Sequence, residues 1–310
     1  MRIVILDGKT LGDGVVFDSI DAAGELTFHP LTAPEDIPAR IENADVVIVN
    51  KIKLNESNLS GARSLKLICV AATGYDNIDI HYCREHGIAV CNVVGYSTDS
   101  VAQLTVSLVL DLMMHMPYFT GFVKDGSYSA SGVANCLSPV FRELAGKTWG
   151  IIGAGNIGMK VAKIAEAFGM KVSYFSTSGT SHCSDYPSLP LERILAESDI
   201  ISIHAPLNDR THGLIGRKEL AMMKKDAILI NMGRGGIVNE QSLADAIDEG
   251  LIAGAALDVF TVEPLPESHP FLNVKHPERL LLSPHVAWAS VQARERLVGM
   301  IAENIVSFIG

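Results

Sequence analysis

Gly153-Ala154-Gly155-Asn156-Ile157-Gly158 follows a short apolar run, Trp149 to Ile152, and precedes a stretch with helical spacing, Met159 to Phe168. A strand, a tight glycine turn and a helix in that order leave few local folds open, chief among them the βαβ unit that binds a dinucleotide. The first glycine permits the turn, the second lets the backbone approach a pyrophosphate, and the third lets helix and strand pack closely. The phosphates then lie at the helix N-terminus, where unpaired N–H groups point outward. The six-residue pattern alone is weak. In this context it predicts a nicotinamide-type dinucleotide held by Gly153, Gly155, Asn156, Ile157 and Gly158.

The fingerprint begins late in a chain of 310 residues, so another domain folds ahead of it. That stretch has its own rhythm. Ile3 to Leu6, Ala44 to Val49, Leu65 to Ala71 and Ala89-Val90 read as strands, with helical or turn-rich segments between them. The pattern changes near Tyr96 to Ser100, where a long apolar helix is expected from Val101 to Met116, stopped by Pro117, and then a loop-rich stretch from Gly121 to Phe141.

Hydrophobic residues make up 48% and charged residues 19%, with a net charge of −10, which argues against nucleic acid as a partner. Cys69, Cys83, Cys91, Cys136 and Cys183 are widely spaced and odd in number, which argues against disulfides and structural zinc; no metal is expected. Met1-Arg2-Ile3-Val4 opens directly on a strand, and no run approaches the length of a membrane span, so the expectation is a cytoplasmic protein with no membrane partner.

Beyond the fingerprint the alternation continues. Lys171 to Phe175, Ile200 to His204, Ala227 to Asn231 and Gly254 to Val259 read as strands, separated by helical segments such as Leu191 to Ser198 and Gln241 to Glu249. This predicts a parallel sheet with helices on both faces and a ligand at the carboxyl ends of its strands. Those ends carry Ser176-Thr177-Ser178, His204-Ala205-Pro206, Asn231-Met232-Gly233-Arg234, and Asp258 followed by Glu263; His285 follows the apolar Leu280-Leu281-Leu282.

The residues now resemble a family, the D-isomer-specific 2-hydroxyacid dehydrogenases. The likeness runs through Ala71 to Asp79, Ser100-Val101-Ala102-Gln103, the glycine fingerprint, Ser198 to Leu207, Asn231 to Gly235, Asp258 to Pro264 and Ser283-Pro284-His285. Val4 to Gly8 and Gly95 to Ser100 look most like the glycerate dehydrogenase or hydroxypyruvate reductase branch. The resemblance implies an α/β protein of two doubly wound parallel-sheet domains, a Rossmann cofactor domain (100–286) inserted into a flavodoxin-like substrate domain (1–99 and 287–310). It also implies hinge closure around the substrate, and a homodimer that uses Val101 to Phe141.

It further implies hydride transfer between a nicotinamide cofactor and C2 of a small 2-keto or 2-hydroxy acid. His285 would be the acid/base, Glu263 its hydrogen-bonded partner, and Arg234 the fork for carboxylate and carbonyl. Thr73 and Gly74 would complete carboxylate binding, and Ser176, Thr177, His204, Pro206, Met232 and Asp258 would contact the cofactor; Lys51, by its place after the strand ending in Asn50, could reach the substrate. Each has a plainer rival: a turn histidine at 285, a surface ion pair at Arg234, a loop carboxylate at Glu263, a structural Asp258, a lysine that ends a strand in solvent. His29, His81, His86, His115, His182, His212, His269 and His276 have no comparable context.

Ser176 stands where an NAD-selective relative carries an acid that bonds the ribose 2′-hydroxyl and repels a 2′-phosphate. With no acid there and no Lys or Arg between Ser173 and Ser184, NAD(H) is expected as cofactor with NADP(H) accepted. The alternative is that Asp185 folds back to the ribose. Two other functions stay open: phosphoglycerate dehydrogenase-like activity, and a non-enzymatic NAD(H)-sensing corepressor.

Overall fold

A strand buried on both faces needs apolar residues at every position, because successive side chains point to opposite sides of the sheet. The computed structural model describes residues 1–180 and 183–309 and meets that demand in two units, Met1–Ser100 with Trp288–Gly310, and Val101–Ala287. In the first, β1 (Arg2–Ile5), β2 (Glu25–Phe28), β3 (Val46–Val49), β4 (Leu67–Val70) and β5 (Ala89–Cys91) form a parallel sheet ordered β2-β1-β3-β4-β5, as in flavodoxin-like folds. Ile3, Ile5, Val46, Ile48, Leu67 and Cys69 face one side, covered by Leu297, Val298, Ile301 and Ile305 of the helix Val291–Ile309. Val4, Leu6, Val47, Val49, Ile68 and Val70 face the other, against Ile37, Ile41, Leu59 and Tyr82 from three short helices. Each such aliphatic side chain contributes about 1.5–3 kcal/mol when fully buried, so the returning helix is part of this core.

The second unit holds β6 (Thr148–Ile152), β7 (Lys171–Phe175), β8 (Ile200–Ile203), β9 (Ile228–Asn231), β10 (Gly254–Leu257) and β11 (Leu280–Leu282), all parallel, ordered β11-β10-β9-β8-β6-β7. From β6 the chain passes first to β7 on one side and then to β8 on the other. The crevice where such a sheet takes its ligand therefore opens beside the carboxyl end of β6.

Three sequence expectations change. The helix expected from Val101 to Met116 spans Thr98–Met114, and the chain then bends by 60° at His115, whose φ is 52°, into a second helix, Met116–Lys124. Pro117 starts that helix rather than merely stopping the previous one, since its fixed φ and missing N–H suit a first helical turn. The stretch read as loop from Gly121 to Phe141 therefore begins in helix and contains another, Ser127–Ser131. The fingerprint helix spans Asn156–Ala167, three residues earlier than the spacing suggested. β2 was missed because it is an edge strand whose residues are largely exposed, leaving no apolar run to read. Among the described residues no single helix is long and apolar enough to cross a membrane.

Candidate active site

The early start of the fingerprint helix decides where anions can bind. Its first internal bond runs from Met159 N to Gly155 O at 2.9 Å, so the preceding amides, Asn156 to Gly158, have no acceptor within the helix. A Cβ at Gly158 would lie 2.2 Å from the Gly153 carbonyl oxygen, so only glycine lets helix and turn close. At Gly155 a Cβ would meet nothing within 4 Å. The packed third glycine and the open second one are what a pyrophosphate lying across the helix N-terminus requires. The residues fit a dinucleotide.

Beside this turn, Trp149 Nε1 donates to Ser202 Oγ at 2.9 Å, and Ser202 Oγ lies 3.0 Å from His204 Nε2. His204 Nδ1 is buried without a hydrogen-bond partner, and burial pushes the imidazole down to about 3. His204 is a neutral ring next to the cofactor turn, unsuited to delivering protons near neutral pH. Pro206 is exposed just after it, and Met232 is buried at the end of β9.

Arg234 is set by Asn231, whose side-chain oxygen accepts from Gly233 N at 3.1 Å and whose amide donates to the Arg234 carbonyl at 3.0 Å. The Arg234 guanidinium donates to the Gly233 carbonyl at 2.9 Å. A Cβ at Gly235 would sit 2.0 Å from the carbonyl of Phe260, so the loop after β9 lies against the loop after β10. Glu263 is on that second loop. Its Oε1 accepts from Phe260 N at 3.0 Å, and its Oε2 is 2.7 Å from His285 Nδ1.

His285 adopts φ 53°, a left-handed conformation costing a residue with a Cβ about 1–3 kcal/mol. Asp258 holds it there. This carboxylate, 1% exposed, accepts from Ser283 Oγ at 2.6 Å, Val286 N at 2.9 Å and Ala287 N at 2.9 Å, spanning both sides of the strained residue. Burial keeps the Asp258 carboxyl above the usual range despite these donors. These bonds fix the histidine loop.

In the first unit, Thr73 Oγ1 donates to the Val93 carbonyl at 3.0 Å, and Asn92 donates to the Thr73 carbonyl at 2.6 Å. Among the described residues the Thr73 and Gly74 amides donate to no partner, which leaves both N–H groups able to receive an anion. Lys51 is exposed, and its backbone is placed by a residue the sequence did not single out. Asp7, 3% exposed, accepts from Asn50 N at 2.9 Å, Lys51 N at 2.7 Å and Ile52 N at 3.1 Å.

His285, Glu263 and Arg234 thus stand on loops following three adjacent strands, with His285 and Glu263 in direct contact. His269 needs correction. It is 6% exposed and carries its own carboxylate, Glu240 Oε2 at 3.0 Å, while its Nδ1 accepts from Phe271 N at 3.3 Å. Both ring nitrogens serve the fold there. His182 lies outside the described residues.

The family model for the D-isomer specific 2-hydroxyacid dehydrogenase, NAD binding domain, matches residues 106–287. A hydroxypyruvate reductase of Blautia hydrogenotrophica is 33% identical over 317 residues, covering 100% of this chain and 97% of that protein. A glyoxylate reductase of Aeropyrum pernix is 42% identical over 256 residues, covering 81% and 75%. The NADPH-dependent glyoxylate/hydroxypyruvate reductase of Sinorhizobium meliloti, solved in complex with NADP and malonate, superposes with a TM-score of 0.83 at 27% identity over 100% of this chain and 93% of that one.

Proposed function

This chain belongs to the D-isomer-specific 2-hydroxyacid dehydrogenase family, and from that membership we propose that it reduces hydroxypyruvate and glyoxylate to D-glycerate and glycolate in the cytoplasm. The family makes it an NAD(P)-dependent oxidoreductase; the small polar substrates are supported by what the two relatives are named for. The observation that carries the reading is the His285–Glu263 contact of 2.7 Å, on loops one and two strands away from Arg234.

A bound reduced nicotinamide supplies a hydride to C2. The carbonyl π electrons pass to oxygen, and this chain's residues manage that charge. The planar Arg234 guanidinium grips the substrate carboxylate and polarises the carbonyl, a task for a fork rather than a point charge. His285 has Nδ1 held by Glu263, so the proton leaves from Nε2 to the new alkoxide, and solvent restores it. Glu263, pinned by Phe260 N, keeps the ring aimed. The Asn156, Ile157 and Gly158 amides are assigned to the pyrophosphate, with His204, Pro206 and Met232 along the cofactor. Five free thiols support a reducing compartment.

Initial rates of NADH and NADPH oxidation with hydroxypyruvate, glyoxylate, pyruvate, phenylpyruvate and, in reverse, 3-phosphoglycerate test the reading. Hydroxypyruvate or glyoxylate should give the highest kcat/KM, and His285→Ala should lower kcat about 10²–10⁴-fold while cofactor still binds. Best turnover with phenylpyruvate or 3-phosphoglycerate would overturn the substrate assignment, and undiminished turnover in His285→Ala the mechanism.

A further inference from the structure

The end of β7 holds no acid, and the segment that follows it supplies no cation of its own, which left NAD and NADP undistinguished by sequence. The fold brings a cation there from elsewhere. Arg210, on the loop after β8, reaches across and donates from Nη1 to the Ser178 carbonyl at 2.7 Å. A Cβ on Gly179 would lie 3.7 Å from the same nitrogen. Together with Thr177, Ser178, Pro206, Asn208 and Asp209, the guanidinium lines an open recess of about 460 Å³.

Arg210 is exposed, but its loop is braced. Asn208 Oδ1 accepts from Arg210 N at 2.9 Å, Thr211 Oγ1 accepts from Asn208 N at 2.9 Å, and the same hydroxyl donates to the Pro206 carbonyl at 2.6 Å. Thr211 is fully buried, so the loop is anchored at its base. Ser178, which lines the recess, has its hydroxyl 3.1 Å from that of Ser176, and Ser176 donates to the Thr180 carbonyl at 2.6 Å. In a doubly wound dinucleotide fold the end of the second strand faces the adenosine ribose, and its 2′-substituent is what a residue there meets. At that strand end this chain presents hydroxyls and, from Arg210, a guanidinium.

We infer that Arg210 is the 2′-phosphate-recognising residue of this chain and tips its cofactor preference to NADPH, with NADH still accepted. The inference rests on the dinucleotide reading of the site but not on the identity of the keto acid. A planar guanidinium pairs with phosphate through two parallel N–H donors, whereas a ribose hydroxyl offers it no charge to neutralise. Asp209 lines the same recess and opposes the phosphate, which limits the preference.

Equilibrium binding decides this without any substrate. NADPH and NADH are titrated by nicotinamide fluorescence, and 2′,5′-ADP and 5′-AMP by calorimetry, in wild type, Arg210→Ala, Arg210→Lys and Asp209→Asn. Wild type should bind NADPH about tenfold tighter than NADH, and 2′,5′-ADP tighter than AMP by a similar factor. Arg210→Ala should bring both ratios close to one, Arg210→Lys should restore part of them, and Asp209→Asn should raise them. Equal weakening of both nucleotides in Arg210→Ala, or an unchanged ratio, would overturn the assignment. Failure of every nucleotide to bind wild type would overturn it together with the dinucleotide site, while a different best keto acid would leave it standing.

Discussion

What a histidine can do is settled by what its two nitrogens touch, and the cofactor-binding unit contains three different answers. His285 has a carboxylate at Nδ1, His269 has a carboxylate at one nitrogen and a backbone donor at the other, and His204 has a serine at one nitrogen and nothing at the other. The last arrangement has a measurable consequence. An unfolded chain protonates this histidine below the ordinary value of 6.5, whereas the folded chain resists until about 3. Between those values the unfolded state binds the extra proton, so stability from this group is full above pH 6.5 and declines as pH falls toward 3. At pH 5 the loss is about 2 kcal/mol, from roughly 1.36 kcal/mol per pH unit. His204→Gln, which keeps a neutral polar side chain, should lose about that much less stability between pH 7.5 and pH 5 in urea denaturation. Equal losses in both proteins would show that the ring is not kept neutral by burial.

The strands of this protein are regular; the chemistry sits on the loops that follow them, and those loops are positioned by contacts between neighbours. Gly235 is the tightest such contact. Alanine there would place a carbon 2.0 Å from the Phe260 carbonyl and 2.3 Å from Thr261 N, neither of which is the end of a flexible side chain. The loops carrying Arg234 and Glu263 must then separate, and displacements of about 1 Å at a reacting centre can cost ~10²-fold. Gly235→Ala should therefore lower kcat/KM by about that factor while nucleotide binding survives; wild-type kinetics would mean that the two loops move independently of catalysis. Sequence showed the elements best where burial is two-sided. The central strands of both sheets, buried on both faces, were read within a few residues. It failed at the exposed edge strand Glu25–Phe28 and at the bend on His115, where local pattern carries little information. Arg234, Glu263 and His285 were legible because the family's motifs carry them. Asp7 and Arg210 were not, because their roles depend on partners that only the fold brings near, 43 and 32 residues away.

At the scale of the whole molecule, the surface of the cofactor-binding unit is uneven. Met116, Tyr118, Val123, Val133, Leu137, Val140 and Phe141 are all exposed within one stretch of chain, Leu137 to 77% and Val140 to 74%. Tyr118, Phe119, Phe122, Tyr128 and Phe141 form a chain of ring contacts within the same stretch. Isolated apolar side chains on a surface need no explanation, but a cluster of this kind marks an interaction face. We propose that this stretch is the homodimer interface. The expected occupant is a second copy of the chain, because these apolar, aromatic side chains carry none of the charge that sets two copies of net charge −10 against each other. Light scattering on the eluting protein at micromolar concentration should give twice the chain mass for wild type. Leu137→Asp with Val140→Asp removes two side chains that the fold does not bury, so the variant should keep its thermal transition while eluting at the mass of one chain. A wild-type monomer, or a double variant that remains dimeric, would place the interface elsewhere or remove the need for one.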